Sequence, residues 1–167
     1  MKKSYNVGDV FTIPIDDTRC GSGQILERYM TTELLFLGVF NWIGIVGEVY
    51  NIDEVVSESP ILAANSFDTL IVSGDWPIIG NTFSQIKRFP LPPYKVLIDG
   101  KYYIEDWGNK KRRKASDKEI EFIDFRNGVS PIRIEKALKA HNQEAPWHDS
   151  FNKMKVSYLN EQAKFRV

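Results

Sequence analysis

The chain has 167 residues, 43% of them hydrophobic and 26% charged, the composition of a globular protein rather than a disordered or membrane-embedded one. Its 22 Lys and Arg equal its 22 Asp and Glu, so no overall field steers it toward nucleic acid or an anionic membrane. The single Cys20 excludes an internal disulfide.

The length suits one domain over 1–167, with a core that needs no metal or cross-link. The basic start, Met1-Lys2-Lys3, has no apolar region behind it and is not read as a secretory signal. The most apolar run, 34–49, is broken by Gly38, Asn41, Gly44, Gly47 and Glu48, too short and interrupted to span a bilayer. The expected location is the cytoplasm.

In chain order, 10–15 alternates, with Phe11, Ile13 and Ile15 on one face and Val10, Thr12 and Pro14 on the other, which predicts a strand. Residues 16–23 are rich in turn formers, and 24–30 alternates again. Residues 32–40 are almost continuously apolar, as in a strand covered on both faces. These three segments predict an antiparallel meander. Residues 51–59 fit a short helix or a loop, and 67–73, with Leu70, Ile71 and Val72, reads as another strand. Residues 76–81 form an apolar strip bounded by glycines, and 89–93, with three prolines, form a stiff extended connector.

Asp99-Gly100, between 94–98 and 101–105, suits the positive φ angles of a type I′ turn and predicts a hairpin pairing Leu97 with Tyr102 and Val96 with Tyr103. A basic run, 110–114, follows. Ser130-Pro131 opens a helix, with Ile134, Ala137, Leu138 and His141 at helical spacing. The tail beyond Trp147 fits helix or strand. The fold class is α+β: a bent antiparallel β-sheet or partly open β-barrel with one or two C-terminal helices.

The stretch Val7-Gly8-Asp9-Val10-Phe11-Thr12-Ile13-Pro14-Ile15, then Arg19 and Gly21-x-Gly23-x-Ile25-Leu26, then Gly74-x-Trp76-x-Ile78-Ile79-Gly80-Asn81 and Leu91-Pro92-Pro93, resembles the immunity protein 26 family of bacterial polymorphic toxin systems, most strongly over 7–93. The resemblance implies a protein encoded beside a toxin that it neutralises by binding, with no catalytic residues. It also implies scaffold roles: Gly8, Gly21, Gly23, Gly74 and Gly80 for turns or close approach, and Phe11, Ile13, Ile25, Trp76 and Ile79 for the core.

No other chemistry is expected. A thiol enzyme would need Cys20 beside His141 or His148, and an isolated cysteine without a family signature reads as an inert small residue. His141, His148 and Asp149 match no common zinc spacing, and His141 is expected in the core. Gly21-Ser22-Gly23 lacks the lysine and hydroxyl of a phosphate loop. No catalytic, metal or cofactor residue is assigned. The run 110–114 is read as a solvated loop balanced by Asp117, Glu119 and Glu121. Its alternative role, in a nucleic-acid-binding small β-barrel, is set aside because such domains are commonly basic overall. Trp42 and Trp76, in apolar runs, are expected in the core. Trp107 and Trp147, in polar surroundings, are expected to face a partner together with Lys111, Arg112 and Arg113. That partner would be a cognate toxin domain.

Overall fold

The computed structural model describes residues 4–30 and 34–167. Readings that touch Met1, Lys2, Lys3, Thr32 and Glu33 lie outside the described residues. The expected meander is present and extended by one strand. β1 (Asp9–Pro14), β2 (Arg19–Arg28), β3 (Leu34–Ile45) and β4 (Pro60–Phe67) pair antiparallel in turn, and β5 (Ile78–Asn81) returns to the free side of β1. The sheet order is therefore β4-β3-β2-β1-β5. A second antiparallel sheet holds β6 (Tyr94–Ile98), β7 (Lys101–Glu105) and β8 (Arg112–Lys114). Neither sheet closes, and the architecture is α+β.

The described residues also form five helices: α1 (Ile52–Ser57), α2 (Thr69–Ser73), α3 (Asp117–Phe122), α4 (Pro131–His141) and α5 (Val156–Gln162). The ambiguous tail is helical, with a 3-10 turn over Asp149–Met154 ahead of α5. α1 begins at Asn51, whose side-chain oxygen accepts from the Asp53 and Glu54 amides. That is an ordinary N-cap.

Two boundaries differ from expectation. The β1–β2 reversal is tighter than 16–23: the Ile15 amide already donates to the Arg19 carbonyl, and Asp16 Oδ1 accepts from the Thr18 and Arg19 amides. Gly21, Ser22 and Gly23 lie inside β2. The two glycines are small because neighbours crowd them. A Cβ on Gly21 would sit 2.5 Å from Leu138 of α4, and one on Gly23 would sit 2.6 Å from the Phe11 ring. The run 67–73 is not a strand: β4 ends at Phe67, and the next residues form α2, closed by Gly74 at φ 85° with its amide donating to the Ile71 carbonyl. A short apolar run with β-branched residues fits either state; here the left-handed glycine stops a helix.

The five-stranded sheet is covered on both faces. On one face Phe11, Ile13, Ile25, Leu35, Leu37 and Val39 pack with Trp76 and with Ile134, Ala137 and Leu138 of α4. On the other, Val10, Leu26, Phe36 and Phe40 pack with Val55 and Val56 of α1 and with Phe89. The alternation of β3 between Leu35/Leu37/Val39 and Phe36/Phe40 is thus read by two cores at once. Each fully buried side chain of this size contributes roughly 1.5–3 kcal/mol.

The motif residues near the start tie strands to loops. Gly8 has φ 93°, and a Cβ there would lie 2.3 Å from the Thr82 carbonyl oxygen. Asp9, buried, accepts from the Asn6 amide at 2.7 Å and from the Asn81 side chain at 2.9 Å. Gln24, fully buried on β2, donates to the Gly8 and Phe83 carbonyls and accepts from the Gln85 amide. The predicted hairpin forms in the predicted register, Leu97 with Tyr102 and Val96 with Tyr103, around Asp99 (φ 48°) and Gly100 (φ 74°). No helix among the described residues is long and apolar enough to cross a membrane.

Candidate functional site: the interaction surface

The basic run is only partly a loop. Asp106 Oδ1 accepts from the Lys110 and Lys111 amides, both at 2.7 Å, closing the turn that leads into β8. The Lys111 amide chiefly, then that of Lys110, holds the Asp106 carboxyl below the usual range. β8 places its two arginines against different carboxylates. Arg112 Nε donates to buried Glu105 at 2.9 Å. Arg113 grips Glu119, with Nη1 to Oε2 at 2.9 Å, and its Nε also donates to the Arg166 carbonyl at 3.0 Å. The expected balance by Asp117, Glu119 and Glu121 is therefore corrected. Of the three, Glu119 alone has a recorded ion pair among the described residues, and Glu105 is the partner that spacing did not reveal.

Glu105 also meets Arg126 at 3.2 Å. That guanidinium lies 4.5 Å from the Tyr94 ring centre and 5.5 Å from that of Tyr29, and it donates to the Trp107 carbonyl at 2.9 Å. Arginine suits this place because its planar, weakly hydrated cation stacks on rings while its edge bonds carboxylate and carbonyl. Among the described residues, the cations left without a recorded side-chain acceptor in the run are Lys110, Lys111 and Lys114.

The four tryptophans divide. Trp76 is in the core as expected, stacked on Phe11 at 5.3 Å with its indole N–H donating to Glu135 at 3.0 Å. Trp42 is half-buried, edge-on to Tyr50 at 4.7 Å, rather than in the core. Trp107 is half-buried against Tyr29 and Phe36, with its Nε1 buried and unpaired. Trp147 is half-buried on Phe151, its Nε1 donating to Asn152 and the Lys155 ammonium 4.5 Å above its ring. Trp107 packs on the α1 side of the sheet and Trp147 on the α4 side. The fold does not bring these two together.

The groups weighed for catalysis are dispersed. Cys20 lies buried within β2, and burial pushes its thiol up, away from thiolate. His141 is exposed at the end of α4 with Nε2 3.1 Å from Asn41 Oδ1, which corrects its expected core position. His148 contacts Ser150. No group of three or more His, Cys, Asp or Glu among the described residues could hold a metal ion. Gly21-Ser22-Gly23 is buried in the sheet, where no phosphate could reach it.

Two features were missed from sequence. The first is a cavity of about 90 Å³ where β4, the start of β6, α5 and the 3-10 turn meet, lined by Asn65, Tyr94, Asp124, Arg133 and Lys153 among others. Asn65 donates to Tyr94 Oη at 3.0 Å, and burial pushes that phenol up to about 12. Nothing in strand alternation marked Asn65 as a cavity residue. The second is the far end of β3, where Ile43, Ile45, Val46 and Val49 are all exposed. These lie beyond 32–40, the part of the apolar run expected to be covered on both faces.

A family model described as Immunity protein 26 matches residues 6–104, more than half of the chain. The match runs from the strap before β1 through the hairpin of the second sheet, and takes in Gly8, Asp9, Gln24, Trp76 and Asn81. No curated protein and no solved structure matches the chain. The motif residues that hold the loops to the five-stranded sheet thus lie within a family signature, and the chain belongs to the immunity protein 26 family.

Proposed function

We propose that this protein binds a cognate toxin domain and neutralises it by occlusion, with no covalent step. The observation that carries the reading is the family match over residues 6–104. Family membership suggests a toxin-neutralising role in general; occlusion is supported by how the side chains are used. Gly8, Asp9, Gln24 and Asn81 are engaged in holding backbone, and the one thiol is buried. What is left for function is a rigid outer surface. A standard interface buries roughly 1,600 Å² and reaches nanomolar affinity when its central contacts are good. Tight binding is required because a single free toxin enzyme turns over repeatedly.

Trp107, Lys111, Arg112, Arg113 and Trp147 are carried in this proposal as partner contacts, in two separate patches. Arg112 and Arg113 act there mainly by fixing β8, and Lys111 is the freely exposed cation. Co-expression with the product of the adjacent gene tests the function: growth rescue and co-purification are expected. Failure of both, or turnover of a substrate by the purified chain, overturns it. Reversing Lys111 to Glu should slow association several-fold if that patch faces the toxin, and an unchanged rate removes it.

A further inference from the structure

Neutrality overall conceals a division of charge along the chain. Residues 1–86 hold 11 Asp and Glu against 4 Lys and Arg, while residues 87–167 hold 18 Lys and Arg against 11 Asp and Glu. The acidic part includes the end of the five-stranded sheet at which β3 outruns its cover. α4 stops at His141, opposite Asn41. The next residues of the same parity on β3, Ile43 and Ile45, pass beyond the helix and are 46% and 53% exposed. Val46 and Val49, on either side of Gly47, are 54% and 97% exposed. Four aliphatic side chains within seven residues, the least exposed of them at 46%, form an apolar surface of the kind that marks an interaction site.

This tip is braced. Ile45 pairs with Arg19 of β2, and the Val46 amide donates to the Thr18 carbonyl at 2.9 Å. Tyr50 Oη accepts from the Ile45 amide at 2.6 Å and donates to Glu48 at 3.2 Å. Gly44 lets Trp42 and Tyr50 close on the strand, since a Cβ there would lie 2.2 Å from the indole. Such a surface is organised before any partner arrives, which lowers the cost of binding. Its rim is acidic. Asp16 and Asp17 lie in the neighbouring β1–β2 turn, Glu48 is on the tip, and Glu144 is joined to the same turn through Arg19, which also bonds Asp16. Arg19 pairs with Asp16 and Glu144, which leaves Asp17 and Glu48 as the rim carboxylates with no recorded cation partner among the described residues.

We propose that residues 43–49, with the rim of Asp16, Asp17, Glu48 and Glu144, form a docking surface for a basic protein. Resting on the function proposed above, that protein is the cognate toxin, and its basic surface meets this tip in place of the Lys111 patch, which would suit an acidic one. The aliphatic tip supplies the water-excluding centre, and the carboxylates supply steering and rejection of acidic surfaces.

The test uses the full chain and the toxin encoded by the adjacent gene. A double variant, Ile45→Asp with Val49→Asp, should weaken binding about thirtyfold or more, and Val49→Asp alone should weaken it severalfold with thermal melting unchanged, because Val49 is 97% exposed. Asp17→Lys with Glu48→Lys should cut the association rate about tenfold and flatten its dependence on salt, leaving dissociation nearly as it was. Independently of any variant, amide exchange at 43–49 and 16–19 should slow in the complex. If the wild-type chain binds the toxin but the aspartate variant binds equally well, the docking surface is wrong and the function stands. If the wild-type chain does not bind, both fail. Dimerisation of the free chain that Val49→Asp abolishes, with toxin affinity unchanged, would assign the tip to a second copy and overturn the proposal.

Discussion

Gln24 shows what a single buried polar side chain does in this protein. It satisfies carbonyls of Gly8 and Phe83 and the amide of Gln85 from inside the sheet, and so anchors the strap before β1 and the segment after β5. Gln24→Leu keeps the size but orphans the Gln85 amide, while the Gly8 and Phe83 carbonyls keep the Thr82 amide and the Gln85 side chain as donors. The expected loss is about 1–3 kcal/mol in urea unfolding, with the denaturant slope preserved. Glu119 offers a pH-dependent case. Arg113, first, and the Ser116 amide and hydroxyl hold its carboxyl down to about 2, from an ordinary value of 4.5. A depressed carboxyl contributes stability that is complete above the unfolded value and is lost as pH falls through the folded one. Glu119→Gln should therefore cost about 2 kcal/mol at pH 7, and its difference from wild type should shrink between pH 4.5 and 2. A difference that stays constant across that range would show that the ion pair contributes nothing. At this scale the sequence was least legible. Arg112 and Arg113 look like members of a solvated run until β8 turns them toward Glu105 and Glu119, and His141 has helical spacing but lies one turn past the core.

Elements were more legible, and the errors have physical causes. The Asp99-Gly100 hairpin was readable because its turn demands positive φ at both residues, a local requirement. β2 was harder. Its Gly21 and Gly23 look like turn formers, yet their size is set by Leu138 and Phe11, more than a hundred and about ten residues away. That contact also makes the docking of α4 on β2 measurable. Gly21→Ala forces a methyl against Leu138 in a filled core and should cost about 1–3 kcal/mol. Leu138→Ala should cost about 2–5 kcal/mol. The double variant should lose clearly less than the two losses together, since the added methyl enters the space that leucine left. Strict additivity would mean that α4 does not rest on Gly21. α2 was misread for a different reason, being too short for periodicity to separate helix from strand.

For the molecule as a whole, the family match ends at residue 104, but the core does not. Ile134, Ala137, Leu138, Phe151 and Met154 fill one face of the five-stranded sheet. A fragment of residues 1–108 should therefore fail to fold cooperatively, giving a broad melt and strong binding of a hydrophobic dye, whereas the full chain melts sharply. A sharp melt from the fragment would show that the matched region is self-sufficient. The α+β class and the meander were visible from patterning alone; the two-sided burial beyond β3 was not, because it depends on which later segments return. One of those returns has a further effect. The outer side of β4 is bordered by Val129, bridged to Ser66, and by Lys155, bridged to Leu62, so the last third of the chain hems that margin. A sewn border denies stray strands the row of open amides on which deposits grow.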